Sequence, residues 1–245
     1  MTVPGEEFTP VWNDLRLNIP AVNNTLDGLV TGQFKVVPLF ECETNLFFAL
    51  RDEAMTPIGA SPGQILRQGH PTALYVQASD PTWDLKAASI HQYSLYNSHD
   101  DLLFNDEDHH WHTSHRRFNS KLPTLPKFFS KYFGHSELQN FRMQAIEGTG
   151  SLGRHREKII GIPKRERHFK LRFHLPIVTN TNVQFELDNQ SFSMNAGTVY
   201  LFNQSCMHSV ANDGAELRVH LIFDCYLNAY IIEKIIAPAC QHLLQ

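Results

Sequence analysis

Three side chains in this sequence have types and spacing suited to holding a metal. His155 and Glu157 lie in the tripeptide His155-Arg156-Glu157, and His208 opens the run His208-Ser209-Val210-Ala211-Asn212. Two imidazoles and one carboxylate on one face of an ion leave three positions open to other ligands, the set that suits Fe(II) in oxygen chemistry. A His-x-Glu pair on a bent strand brings both side chains near one ion, and a distant histidine completes the set. His-x-Glu alone turns up by chance in many chains. The weight comes from the ordered company of Arg172, His174, His208 and Arg218. His155, Glu157 and His208 are therefore the expected ligands.

The elements that must position these groups read as strands. Lys170 to Val178 alternates, with Lys170, Arg172 and His174 on one face and Leu171, Phe173 and Leu175 on the other. Leu217 to Phe223 alternates again and places Arg218, His220 and Ile222 together. Cations on the inward faces of two strands are costly to bury without anions. They face water or line a cavity that receives an anionic ligand. With Arg172, His174, Arg218 and His220 flanking both candidate ligands, the cavity is the better reading. Arginine suits it, because its planar fork grips a carboxylate through two parallel hydrogen bonds.

Around these two strands lie further short ones. Phe141–Ile146 reads as a strand turned by Gly148-Thr149-Gly150, and Val183–Leu187, Ser191–Met194 and Thr198–Phe202 follow, with Asp188-Asn189 as the hairpin turn. Earlier in the chain, Phe34–Phe40 reads as a strand ending near Pro38, and Thr44–Met55 as a helix with Thr44 at its N-cap. Residues 56–72 are loop-rich, Ala73–Gln77 is a short strand, and Ile90–Tyr96 is apolar but ambiguous. Pro123–Tyr132 reads as a short helix or turn packed by Phe128, Phe129 and Tyr132. Leu227–Leu244 reads as an apolar helix broken near Pro238. The stretch Asp106–Arg117 contains His109, His110, His112 and His115. Without a strand or helix to set their angles it reads as a solvated loop, with an active-site lid as the alternative. Closely spaced short strands with turn residues predict a mainly β fold with flanking helices and a barrel or a jelly-roll, cupin-like core. The expected layout is one compact domain: an α/β part over residues 1–140, a β core over 141–226 and a helix over 227–245.

Composition narrows the classes. The chain has 245 residues, 42% of them hydrophobic, enough for a real core. Its net charge of −4 argues against nucleic acid or an anionic membrane as the main partner. No apolar run is long enough to span a bilayer, and the N-terminus carries no secretory pattern. Cys42, Cys206, Cys225 and Cys240 are scattered without a CxxC pair, so a reducing, cytoplasmic setting is expected.

Taken together, His155-Arg156-Glu157, Arg172-Phe173-His174-Leu175-Pro176-Ile177, Gly197 before Leu201-Phe202, His208-Ser209-Val210-Ala211-Asn212 and Arg218 to Asp224 resemble the aspartyl/asparaginyl β-hydroxylase family of Fe(II)- and 2-oxoglutarate-dependent oxygenases. Bacterial cis-type proline hydroxylases are similar as well. The resemblance covers roughly residues 141–226. It implies a double-stranded β-helix and His155 and His208 as iron ligands. It implies Arg218, ten residues after His208, as the partner of the distal carboxylate of 2-oxoglutarate, with Arg172 and His174 beside the cosubstrate or the substrate carboxylate. Gln144 also reaches the cosubstrate on this reading. Many relatives carry Asp where this chain has Glu157, whose extra methylene still permits ligation; a carboxylate there disfavours halogenation. With O2, the implied reaction hydroxylates an unactivated C–H bond of an amino acid, free, carrier-bound or within a peptide, and releases succinate and CO2. Desaturation or cyclisation at the same centre, or a non-catalytic jelly-roll binding protein, are the alternatives.

Overall fold

The computed structural model describes residues 28–29, 31–55, 90–94, 123–134, 138–156, 170–226 and 230–240. The strands are β1 (Val36–Glu41), β2 (Ile90–Ser94), β3 (Leu138–Ile146), β4 (Gly150–His155), β5 (Lys170–Val178), β6 (Val183–Leu187), β7 (Gln190–Phe192), β8 (Thr198–Phe202), β9 (His208–Asn212) and β10 (Arg218–Tyr226). Helix α1 is Thr44–Met55 and α2 is Leu125–Phe133. A π-helical segment, Ile231–Ile236, runs into the short helix Ala237–Cys240.

The strands form two antiparallel sheets. One has the order β1-β8-β5-β10-β3-β2 and the other β4-β9-β6-β7. The pairing shows how they arise. β3 pairs with β10, β4 with β9, β5 with β8 and β6 with β7. These four nested pairs make one long antiparallel ribbon, doubled back at the β6–β7 hairpin. Its further pairings, β5 with β10 and β6 with β9, coil the ribbon into two sheets. That winding is the expected double-stranded β-helix, a form of jelly roll. The turn at its tip has the predicted residues: Asp188 and Asn189 have φ of 46° and 65°, the left-handed pair that a two-residue hairpin requires.

The two additions to the eight-stranded core come from the N-terminal part and lie at the edges of the larger sheet. β1 runs through Pro38 instead of ending there. An edge strand has one row of N–H groups outside the ladder, so a proline is tolerated, and the register shifts between Pro38 and Phe40. Gly197, with φ of 85°, turns the chain into β8; its N–H donates to Pro176 O and its carbonyl accepts from Cys42 N. β7 is shorter than expected, ending at Phe192. The C-terminal helix runs through Pro238 to Cys240, with π-type bonding in the turns before the proline. The segments 56–72, Ala73–Gln77 and 97–120 fall outside the described residues. Among the described residues, no helix is long and apolar enough to cross a membrane.

The larger sheet has an apolar cluster on each face. On the outer face Leu171, Phe173, Leu175 and Ile177 of β5 and Val219, Leu221, Phe223 and Cys225 of β10 pack with the helices. Helix α2 contributes Leu125, Phe128, Phe129 and Phe133, whose spacing puts them on one helical face. Phe223 is the hub, with ring centroids 5.0 Å from Phe129, 4.9 Å from Phe133 and 5.4 Å from Phe173. Glu53 of α1 accepts hydrogen bonds from the Thr124 N–H and hydroxyl, tying α1 to the start of α2. Between the sheets a second cluster joins Val183, Phe185 and Leu187 of β6 to Tyr200 and Phe202 of β8.

Because Phe223 joins the sheet to the helix, Phe223→Ala is expected to cost about 3–5 kcal/mol of unfolding free energy in a denaturant titration. Phe48, which is exposed, should tolerate the same truncation within about 0.5 kcal/mol.

Candidate metal centre and cosubstrate cleft

His155 ends β4 and His208 begins β9, and the two residues are register partners. Cross-strand partners project side chains to the same side of a sheet. The two rings accordingly meet, with centroids 4.2 Å apart. A register shift between Leu152 and His155 shows the irregular strand expected at the first ligand. Each histidine uses Nδ1 in the same way. His155 Nδ1 is 2.8 Å from Gly153 O and His208 Nδ1 is 2.8 Å from Cys206 O. A carbonyl only accepts, so both Nδ1 atoms carry the proton and both Nε2 atoms carry a lone pair. This carbonyl-oriented tautomer is the one a metal-ligating histidine needs. The pair therefore fits an ion bound through Nε2. Among the described residues no third His, Cys, Asp or Glu joins them. Glu157 lies outside the described residues.

A small cleft opens over this pair. Gln144, Arg172, His174, His155, His208 and Ser209 supply its polar lining, and Leu152, Phe185, Phe202, Val210 and Ile222 its apolar wall. The inward faces of β5 and β10 carry the expected residues, since their alternate neighbours fill the outer core. Arg172, His174, Arg218 and His220 on those faces are buried.

Part of their compensation comes from within the protein. Arg172 is gripped by Asp224, its strand partner: Nε donates to Oδ1 at 2.8 Å and Nη2 to Oδ2 at 3.1 Å. The two side chains are 3% and 0% exposed, so this two-bond ion pair lies in the interior. Alternation along β10 puts Asp224 on the face of Arg218, His220 and Ile222, and the register with β5 sets it opposite Arg172. Arg218 is fully buried and stands behind the cleft rather than lining it. Its Nη1 donates to Gln144 Oε1 at 2.8 Å, and its guanidinium lies 5.1 Å from the Phe185 ring centre. That bond turns Gln144 so that its carbonyl faces Arg218. His174 stacks on Phe202 at 4.6 Å and meets His220 through Nδ1 at 3.3 Å. The structure thus gathers Gln144, His155, Arg172, His174 and His208 around one cleft and places Arg218 one layer deeper. The orienting carbonyls of Gly153 and Cys206 were not foreseen; both stand two residues before a histidine.

The His220 pKa is held well below its ordinary value, first by burial, then by the charge of Arg218 and by His174. Burial pushes the Cys206 thiol up to about 12, helped by Asp188, and also raises Cys225 well above its usual range. These thiols stay protonated.

The profile of the aspartyl/asparaginyl β-hydroxylase family matches residues 75–227, more than half of the chain. This chain belongs to that family. It is an oxygenase. The match begins well before residue 141, where the resemblance read from the motifs began. A comparison with curated proteins finds no match. Among solved structures, an oxidoreductase of the 2OG-Fe(II) oxygenase family from Burkholderia pseudomallei is similar at 16% identity over 76% of this chain and 92% of that one, TM-score 0.38. A viral collagen prolyl hydroxylase from Paramecium bursaria Chlorella virus-1, in its 2OG complex, is similar at 8% identity over 56% and 77%, TM-score 0.31. A cupin domain from Bordetella pertussis is similar at 16% identity over 38% and 92%, TM-score 0.28. At these scores the likenesses carry no part of the functional reading.

Two measurements test the electrostatics of this hydroxylase-family site. Asp224→Asn strands the buried Arg172 charge and should cost about 3–5 kcal/mol in denaturant, whereas Arg172→Met with Asp224→Leu should fall within about 2 kcal/mol of the parent or above it. The depressed His220 pKa has a defined sign. Its contribution is fully present above the unfolded value of 6.5 and is lost as pH falls below it, because the unfolded chain takes up a proton that the folded one refuses. Between about pH 7.5 and about pH 5.5 the parent should lose about 1 kcal/mol more stability than His220→Asn, read from unfolding curves at both pH values.

Proposed function

We propose that this protein is an Fe(II)- and 2-oxoglutarate-dependent dioxygenase that hydroxylates an unactivated C–H bond of an amino acid, free, carrier-bound or within a peptide. The observation that carries the reading is the pair His155 and His208, adjacent across two strands and each held through Nδ1 by a backbone carbonyl, in a chain of the hydroxylase family. Glu157 is proposed as the third protein ligand.

In this reading His155, Glu157 and His208 hold the iron and leave open positions for the cosubstrate and O2. When bound, iron with 2-oxoglutarate would supply the oxidising chemistry: O2 would give one oxygen atom to the hydroxylated carbon and the other to succinate, with release of CO2. The chain's own residues orient and exclude water. Gln144 lines the end of the cleft that receives the distal carboxylate; Arg218, one layer deeper, supplies the positive charge behind it and holds the Gln144 carbonyl so that the amide nitrogen is turned from the guanidinium. His174 serves the cosubstrate or the substrate carboxylate from β5. Arg172, already neutralised by Asp224, contributes shape and a residual donor edge more than net charge. Leu152, Phe185, Phe202, Val210 and Ile222 keep the wall dry, which strengthens the polar contacts inside.

His155→Ala and His208→Ala should each abolish Fe(II) binding and 2-oxoglutarate decarboxylation while the protein still folds; full turnover in either variant would remove the ligand assignment. Glu157→Ala should lower iron affinity by at least about tenfold, and an unchanged affinity would leave a two-histidine centre. Arg218→Ala should raise the apparent 2-oxoglutarate constant by roughly ten- to several-hundred-fold, and Arg218→Lys by less, with iron binding little changed in either. Succinate formation measured against 2-oxoglutarate concentration reads both.

A further inference from the structure

We infer that His220 is a positioning residue that sets the tautomer of His174: its Nδ1–H donates to Nδ1 of His174, so that His174 presents Nε2–H to the cleft as a hydrogen-bond donor. The inference rests on reading the cleft as the cosubstrate site, and it assigns a task to a side chain that the site as read above leaves unused.

The geometry starts from two imidazoles on adjacent strands. His174 on β5 and His220 on β10 meet with Nδ1 3.3 Å from Nδ1, and their rings stand at 86°. Two nitrogens at that distance share one proton, so one Nδ1 donates and the other accepts. His220 is completely buried, and its Nε2 has no hydrogen-bond partner among the described residues. Two assignments are possible. If His174 donated, His220 would carry its own proton on Nε2 and leave an N–H buried without an acceptor, a rare and costly arrangement. If His220 donates, Nε2 keeps a lone pair instead. A lone pair is also the better neighbour for Arg218, two residues away on the same strand face, because it is negative where the guanidinium is positive. Burial keeps the ring from taking a second proton, as its depressed pKa indicates.

The consequence falls on His174. With Nδ1 accepting, its proton sits on Nε2, on the ring edge directed away from His220. His174 lines the cleft, and its ring is clamped by the stack on Phe202. A clamped neutral donor suits an anionic oxygen. The opposite tautomer would present a lone pair and repel it. His220 thus acts through His174, without touching the ligand.

Nitrogen-15 NMR of histidine-labelled full-length chain, in iron-free buffer so that no paramagnetic ion broadens the signals, reads which ring nitrogen carries each proton. The expected result is a protonated Nε2 on His174 and a protonated Nδ1 on His220. In His220→Leu the donor is gone, and His174 should become a mixture of tautomers. The apparent 2-oxoglutarate constant should rise about tenfold with the saturated rate within about twofold, the effect of misplacing one hydrogen bond. His220→Asn, whose amide keeps a donor near the Nδ1 position, should restore both to within about threefold of the parent. Protonated Nδ1 on His174 in the parent would overturn the inference, as would an unchanged Nε2–H tautomer in a folded His220→Leu protein. Should His220→Leu not fold, the parent and His220→Asn spectra decide. A protein with the expected tautomers and no 2-oxoglutarate turnover would refute the proposed reaction and leave the His220–His174 assignment standing.

Discussion

Desolvated charge between the sheets is the constraint on which this structure depends. Arg172, Arg218, Asp224, His174 and His220 all project from β5 and β10 into the space that an ordinary jelly roll fills with hydrocarbon. Each would be costly there alone. The arrangement answers that cost three ways: Asp224 neutralises Arg172 through two bonds, Gln144 takes one Arg218 N–H, and His220 stays neutral. What results is a polar floor in which these contacts are formed in advance. Such preorganisation lets a cleft bind an anion without first rearranging its own dipoles.

The outer face of the same sheet makes that floor rigid. Phe173 and Phe223 alternate along their strands with Arg172, His174, Ile222 and Asp224, and their rings stack on each other at 5.4 Å beneath helix α2. A strand held by one face cannot slip by one residue, since a slip would exchange phenylalanine for arginine in the aromatic cluster. The α2 phenylalanines therefore fix the register of the polar residues they never touch.

The opposite sheet makes a smaller but more exacting contribution. The β4–β9 register sets His155 against His208, and two backbone carbonyls set both tautomers. The orientation of both rings thus follows from main-chain geometry within one sheet. The carbonyls lie two residues before each histidine, so the local backbone that carries the ring also orients it.

Much of this was legible in the sequence. Period-two alternation in Lys170–Val178 and Leu217–Phe223 determined which residues share a face, because a strand allows no other disposition. Asp188-Asn189 marked the hairpin, because those residue types tolerate positive φ. The order of His155, Arg172, His174, His208 and Arg218 supported the family, which the profile match establishes. Tertiary structure alone decided how the charges are divided. Alternation put Asp224 on the inner face but not opposite Arg172, since that depends on the register between two strands nearly fifty residues apart. It likewise set Arg218 behind Gln144, and His174 against His220, through pairings of β10 with β3 and β5. Sequence specifies the side of the sheet on which a charge lies. Its partner is determined by the register that long-range packing selects, and in a buried site the partner decides whether that charge is spent within the protein or offered to a ligand.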